Sequence, residues 1–321
     1  MGGGTVSATQ APGRAVNLSP SSAQPAGPWA RLRHVRWANI GLAAVVVGYL
    51  AWSLVPVLIA FVFSFNNGYS RSIWQGFSTQ WWTGPNSVFN DPTYYNAIRH
   101  SFELAILAVA ITVPLGVSLS IFLSRWRGVT SKPAAFLSTV PLVIPEIVLA
   151  LAMFFLVTKL LHFVTLGTTA QIAGQVTFIL PLVIVITRGR LASIPTGFEE
   201  AAMDLGASPL QAFRLALIPL LAPAILASAI VAFAVSIDDF VITQYMSSTA
   251  ATQSVPMLIY TATRGTATPA LNAMATVMAL TTVVITSLGY LLYRFVSRRE
   301  QVPQFAREET PTVPVLVEGT A

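Results

Sequence analysis

The chain has 321 residues, of which 54% are hydrophobic and 9% charged. A soluble domain carries roughly 25% charge, so this composition excludes a water-clothed globule and points to an integral membrane protein. The absence of cysteine excludes a disulfide framework and thiolate metal sites, and the net charge of +6 does not signal nucleic acid, because the basic residues punctuate apolar runs instead of clustering.

Residues 1–38 are rich in Gly, Pro, Ala and Ser and turn basic at Arg31, Arg33 and Arg36. They read as a disordered, basic cytoplasmic tail and not as a signal peptide, since the first apolar run lies too far along and is too long. A helix crossing the hydrocarbon core needs about 20 mostly apolar residues. Six segments qualify: residues 41–63, 102–123, 134–157, 169–187, 221–240 and 271–293. The fourth is the shortest and is interrupted by Gln171 and Gln175. Helices follow because every backbone N–H and C=O must be paired inside lipid, and the runs lack the alternation of barrel strands. The expectation is an all-α membrane protein with a six-span domain over residues 39–299 and a second cytoplasmic tail over residues 300–321. Placing the N-terminus inside puts 14 of the 18 Lys and Arg in the cytoplasm and leaves Arg71, Arg99, Lys159 and Arg264 outside. That bias places both termini in the cytoplasm.

Between the spans, the first outer loop (residues 66–100) is aromatic, with Trp74, Phe77, Trp81, Trp82, Phe89, Tyr94 and Tyr95. It reads either as an interfacial belt or as a docking surface for an external partner. Glu103 reads as interfacial. Glu146 lies about 12 residues into the third span, ~18 Å at helical rise and so near mid-membrane. A carboxylate there costs at least ~2.5 kcal/mol unless it faces a cavity or a partner. Pro145 precedes it and Pro141 lies one turn earlier; an interior proline frees backbone groups, as where a broken span lines a substrate pathway. The other reading of Glu146 is a protonated side chain bonded to a neighbouring helix.

The inside loop, residues 188–219, is neither apolar enough to span nor disordered in composition. Glu199–Leu205 should be helical, with the acidic pair in its first turn. Gly206 then caps it, and Ser208 with Pro209 starts a second helix through Leu210–Leu217, leaving Pro219 where the fifth span begins. An interfacial helix lying on lipid is the competing reading. Asp238 and Asp239 lie near the outer end of the fifth span. Adjacent helical residues point ~100° apart, so one acid can face a pathway while the other pairs or caps. With no basic residue of the spans placed to neutralise them, these acids favour a cationic substrate; the alternative is that they mark the wet end of the helix. In the last outer loop, residues 246–269, Pro256, Leu258 and Tyr260 suit a short amphipathic segment.

No Walker A motif is present: the only lysines, Lys132 and Lys159, follow no phosphate-cradling glycine loop. The three histidines (His34, His100, His162) are scattered and read as surface or interfacial, and no catalytic or metal-ligand cluster is evident. An enzyme active site is not expected.

Glu200-Ala201-Ala202, three residues, Gly206, nine residues and an apolar stretch ending at Pro219 resemble the EAA loop of ABC importer permeases; Ala216 stands where Ile is usual in that family and Ile218 where Leu is usual. Trp74–Phe77, Pro145–Val148 and Ser236–Thr243 extend the likeness to the second permease of spermidine/putrescine-type importers, over residues 41–299. The resemblance implies a type I permease fold in a bacterial inner or plasma membrane. It implies ATPase coupling through Glu199, Glu200, Ala201, Ala202, Asp204, Gly206 and Pro219. It also implies three partners: a dimer of ATP-binding subunits that holds ATP and Mg, a second permease, and an extracytoplasmic solute-binding protein. Read this way, the chain is the permease subunit of a polyamine importer with Glu146, Asp238 and Asp239 along the substrate pathway. The alternative is a proton-coupled secondary transporter using Glu146 and Asp238; a non-transporting scaffold would leave the acids unexplained.

Overall fold

The computed structural model describes Gly2 and residues 37–70, 73–126, 128–195, 197–264 and 268–298. Apart from Gly2, Trp37 and Ala38, the two tails of the sequence reading, with His34, lie outside the described residues. The chain divides into two units at Val55 and Pro56, a boundary inside the first helix, α1 (Trp37–Phe63). The second unit contains all that follows.

After α1 the chain folds on itself in the aromatic loop. Asn66 is the hub: its side chain donates to the Ser70 and Ile73 carbonyls and accepts from the Gln75 N–H at 2.7 Å. The Trp81 indole donates to the Asn66 carbonyl at 2.8 Å, which buries Trp81. Phe65 stacks between Phe77 and Trp82. A one-turn helix, α2 (Gln80–Thr83), leads to α3 (Pro92–Arg125), capped by Asp91, whose side chain accepts from the Thr93 N–H at 2.8 Å. At 34 residues α3 starts ten residues before the predicted span. The polar stretch around Arg99, His100 and Glu103 hid its first turns from a hydropathy reading.

The third predicted span is not one helix. It consists of α4 (Ser131–Leu137), a 3-10 turn at Val140–Leu142, and α5 (Glu146–Phe155) followed by a π turn at Leu156–Leu160. The two halves meet at 102°. Pro141 and Pro145 lack N–H groups to continue the ladder, and Pro145 takes an extended ψ of 130° as the cap of α5. Glu146 therefore opens a new helix at a bend instead of sitting inside a straight one.

Next come α6 (Thr168–Ser193), α7 (Gly197–Asp204) and α8 (Pro209–Ala212). A π turn at Phe213–Leu217 joins α8 to α9 (Ile218–Asp238). The described residues end in α10 (Val241–Met246), α11 (Val255–Thr263) and α12 (Ala270–Arg298). Among the described residues five stretches are long and apolar enough to cross a membrane, and the bent pair, taken as one span, brings the number to six. One of the five is the continuous run Pro209–Asp238, and α11 supplies the short helix expected around Tyr260.

The core is the packing of α3, α6 and α9. Ala108, Val113, Val117 and Ile121 of α3 meet Ile179 and Val183 of α6 and Leu217, Leu221 and Ala232 of the α9 run. In lipid no hydrophobic force drives helices together, so close van der Waals approach and interhelical hydrogen bonds decide the packing. Gly116 supplies such an approach: a Cβ there would lie 2.5 Å from Val183 Cγ1. Pairings of Gly116 with Val183 and of His100 with Gln171 show α3 and α6 to run parallel. Contacts of Gln175 with Ser236 and of Arg190 with the Leu220 carbonyl show α9 to run antiparallel to α6.

Gly116→Val should lower the stability of the detergent-solubilised chain by about 1–3 kcal/mol, read as a fall in melting temperature. Gly189→Ala, in the same bundle but with nothing within 4 Å of the added carbon, should leave it unchanged or slightly raise it.

Candidate functional site

Two candidate regions lie at opposite ends of the Pro209–Asp238 run, which at 30 residues is about 45 Å long. The first is the helix–turn–helix loop. The α7 helix ends in a paired turn: the Gly206 N–H donates to the Met203 carbonyl at 2.9 Å, and the Ala207 N–H to the Ala202 carbonyl at 3.1 Å. This geometry needs a left-handed residue, and Gly206 has φ of +92°. Ser208 then caps α8 in a reciprocal box, its hydroxyl accepting from the Gln211 N–H and its own N–H donating to Gln211 Oε1 at 2.8 Å. Pro209 takes the first helical position, where its missing N–H costs nothing. Pro219 falls just inside α9, directly after the π turn, so the loop's second helix and the fifth span are one continuous rod.

The loop is held at one point by an ion pair between Glu199 and Arg125, the last residue of α3. Arg125 as a partner was not anticipated from sequence, because 74 residues separate the two. Glu200, Ala201, Asp204, Gly206 and Pro219 are exposed, and Ala202 is half-buried. Beside them Phe198, Met203, Leu205 and Leu210 also stand exposed, Leu205 at 91%. The loop thus exposes acidic and apolar side chains close together in the chain.

The second region is a cavity of about 460 Å³ lined by Glu146, Phe178, Ala234, Val235, Asp238, Asp239, Phe240 and Val241. It brings together the three acids singled out from sequence: Glu146 from the start of α5, and Asp238 and Asp239 from the end of α9. The two aspartates differ. Asp238 is exposed, whereas Asp239 is buried as the cap between α9 and α10. Asp239 accepts from the backbone N–H groups of Ile242 at 3.1 Å and Thr243 at 3.2 Å. The Gln175 amide donates to Asp239 at 3.1 Å and to the Ser236 carbonyl at 3.2 Å, and accepts from the Ser236 hydroxyl at 2.6 Å. Phe240 packs on Tyr260 with ring centroids 4.6 Å apart, and the Arg264 guanidinium lies over the other ring at 4.7 Å.

Sequence reasoning treated Gln171 and Gln175 only as blemishes in a weak span. Both are fully buried. Gln171 donates to the carbonyls of Thr243 at 3.0 Å and Thr252 at 2.9 Å, so its oxygen is left to accept from His100 Nε2 at 2.8 Å. The signal available was their spacing: four residues apart, they share one helix face. His100 corrects the surface reading given to the histidines, since it is 5% exposed in the α3–α6 contact; His162 is exposed as expected. The histidine sits inside because Gln171 gives its ring N–H a partner.

Arg125→Glu should loosen the loop and speed chymotryptic cleavage after Phe198, and combining it with Glu199→Arg should restore protection. The stability change should stay under about 1 kcal/mol, because the pair is partly exposed.

Residues 112–302 match the family model described as the binding-protein-dependent transport system inner membrane component. The chain is 31% identical over 253 residues to the putrescine transport system permease protein PotI of Escherichia coli K12, covering 77% of this chain and 87% of that protein. It is 30% identical to the spermidine/putrescine transport system permease protein PotC of Haemophilus influenzae, covering 78% and 94%. A chain from the crystal structure of a bacterial ABC transporter involved in import of the acidic polysaccharide alginate superposes with a TM-score of 0.62 at 14% identity, covering 85% of this chain and all of that one. At that identity the likeness is one of fold. The family works with binding proteins and its members are transport subunits without an ATPase motif of their own, which sets aside the secondary-transporter and scaffold readings. The chain belongs to the family of inner-membrane permease components of binding-protein-dependent ABC transporters.

Proposed function

We propose that the chain is the permease subunit of an ATP-driven importer for putrescine, spermidine or a related organic cation. The observation that carries this reading is the cavity holding Glu146, Asp238 and Asp239 together with Phe178 and Phe240. Carboxyl groups with low-dielectric walls focus a negative potential that concentrates cations, and aromatic faces add cation–π attraction for an ammonium group. The names of the related permeases, putrescine and spermidine/putrescine transport, agree with that chemistry.

In this reading a solute-binding protein delivers the cation at the end of the bundle that carries residues 66–100 and 246–264. A second permease subunit completes the pathway on the open side of the acidic cavity. At the other end, the face around Glu200, Met203 and Leu205 docks on an ATP-binding subunit, two of which hold ATP and Mg. Closure of those subunits pushes the loop. Because Pro209–Asp238 is one continuous run, displacement at Ser208 travels to Asp238 as motion of a rod. Nucleotide and loaded binding protein then bias a two-state rearrangement of the permease pair. Glu199 and Arg125 tie the same loop to α3, so that α3 moves with it.

The test is uptake of labelled putrescine and spermidine in cells lacking the gene against complemented cells, with ATP depleted while the proton gradient is held. Uptake should require both the gene and ATP; gene-dependent uptake that survives ATP loss and collapses with the gradient would sink the ATP-driven mechanism. Asp238→Asn and Glu146→Gln should each cut the uptake rate about tenfold or more with normal insertion and normal association with the ATP-binding subunit, as expected for lost charge in a focused site. Glu200→Lys should abolish uptake while the chain still inserts, and normal uptake by that variant would remove the coupling role of the loop.

A further inference from the structure

Asp238 and Asp239 are neighbours in sequence yet occupy different surroundings, and the difference traces to α6. Each oxygen of the buried Asp239 accepts from protein: one from the Ile242 N–H, the other from the Thr243 N–H and the Gln175 amide. Asp238, about 100° further round the helix, lines the cavity and has no side-chain partner among the described residues. Gln175 grips both sides of the break where α9 stops. It donates to the last turn of α9 at the Ser236 carbonyl and to the cap of α10 at Asp239, and it accepts from the Ser236 hydroxyl. This pattern needs an amide of this length. Glu has no donor at neutral pH, Leu has neither donor nor acceptor, and Asn is one carbon short. One turn earlier, Gln171 fastens the middle of α10 at the Thr243 carbonyl and the following segment at the Thr252 carbonyl. The face of α6 thus fixes the break and α10 from one side.

We propose that Gln175 is a positioning residue for translocation: by holding Asp239 as the cap of α10, it leaves Asp238 as the acid presented to a cation in the cavity. The inference rests on the reading of that cavity as the cation path. It divides the acidic pair into one ligand and one structural cap, and assigns the choice between them to a side chain on a different helix. Without Gln175 the Asp239 side chain loses the donor that ties it to α6 and keeps only the Ile242 and Thr243 N–H groups, so it shifts toward Glu146 and the cavity that both line, and both aspartates then contribute to the field.

The chain contains no cysteine, so Ala234→Cys places a single thiol in the cavity lining. The purified transporter carrying the full-length chain is reacted with a cationic reagent, trimethylammonium-ethyl methanethiosulfonate, and an anionic one, sulfonatoethyl methanethiosulfonate. The ratio of the two rates, divided by the same ratio for a free thiol such as 2-mercaptoethanol, reads the charge around the cysteine. With Gln175 in place, the cationic reagent should react about tenfold faster, Asp238→Asn should cut that ratio about threefold, and Asp239→Asn by less than about twofold. Asn keeps a side-chain oxygen that can cap a helix, so Asp239→Asn should not melt α10. After Gln175→Leu, Asp239→Asn should cut the ratio about as much as Asp238→Asn does. The shorter Gln175→Asn should show the same dependence and serves as the second variant if Gln175→Leu does not insert. A ratio near one in the Ala234→Cys parent overturns the cation-path reading itself. A clear ratio in the parent, with Asp239→Asn having the same effect whether or not Gln175 is replaced, overturns the role of Gln175 and leaves the path standing.

Discussion

Inside a bilayer no water is available to complete a backbone hydrogen bond, and every departure from helix must be repaired by the protein itself. The rest of this structure follows from that constraint. Where the chain is apolar and free of proline pairs it forms uninterrupted helices such as α3 and α6. Where it breaks, a side chain or a turn supplies the missing partner. At the end of α9 the repair is made by Asp239, which takes up the Ile242 and Thr243 N–H groups, and by Gln175, which takes up the Ser236 carbonyl. One of these groups, Asp239, also lines the acidic cavity, so a structural cap borders the site proposed for the cation.

The two candidate regions are mechanically linked by the continuity of Pro209–Asp238. A loop joined to its span by a flexible hinge would dissipate motion in the hinge. Here the Ser208–Gln211 capping box starts the helix and the π turn at Phe213–Leu217 runs directly into α9 at Ile218, so the rod reaches the acidic break without a gap. Gly206 lies three residues before the rod, where its positive φ is required for the turn. The Glu199–Arg125 pair adds an attachment to α3, whose energetic weight is small because it is partly exposed.

The acids show how position outweighs identity. Glu146, Asp238 and Asp239 carry the same functional group, yet one opens a bent helix, one faces open space and one is a buried cap. The bend at Pro145 is what turns Glu146 toward the end of α9, since a straight third span would carry its residues on along one axis. The prolines that weaken the ladder and the acid that follows them act together: the break makes room, and the acid occupies it. The aromatic stack of Phe240, Tyr260 and Arg264 closes the neighbouring wall from α11.

The sequence by itself determined the all-helical membrane class, five of the six spans, the turn at Gly206 and the cap at Ser208, because hydropathy, glycine and capping side chains act over a few residues of chain. It also picked out the three cavity acids, because a carboxyl group in an apolar run is costly enough to stand out. Tertiary structure alone decided what those residues touch. The 102° bend of the third span, the burial of His100, the pairing of Glu199 with Arg125 and the grip of Gln175 on Asp239 all join residues far apart in the chain or depend on what packs beside them. Two glutamines in an apolar run read locally as a weakness. Only neighbouring carbonyls, a carboxyl group, a hydroxyl and a histidine give each of them three hydrogen bonds, and those neighbours are a property of the fold.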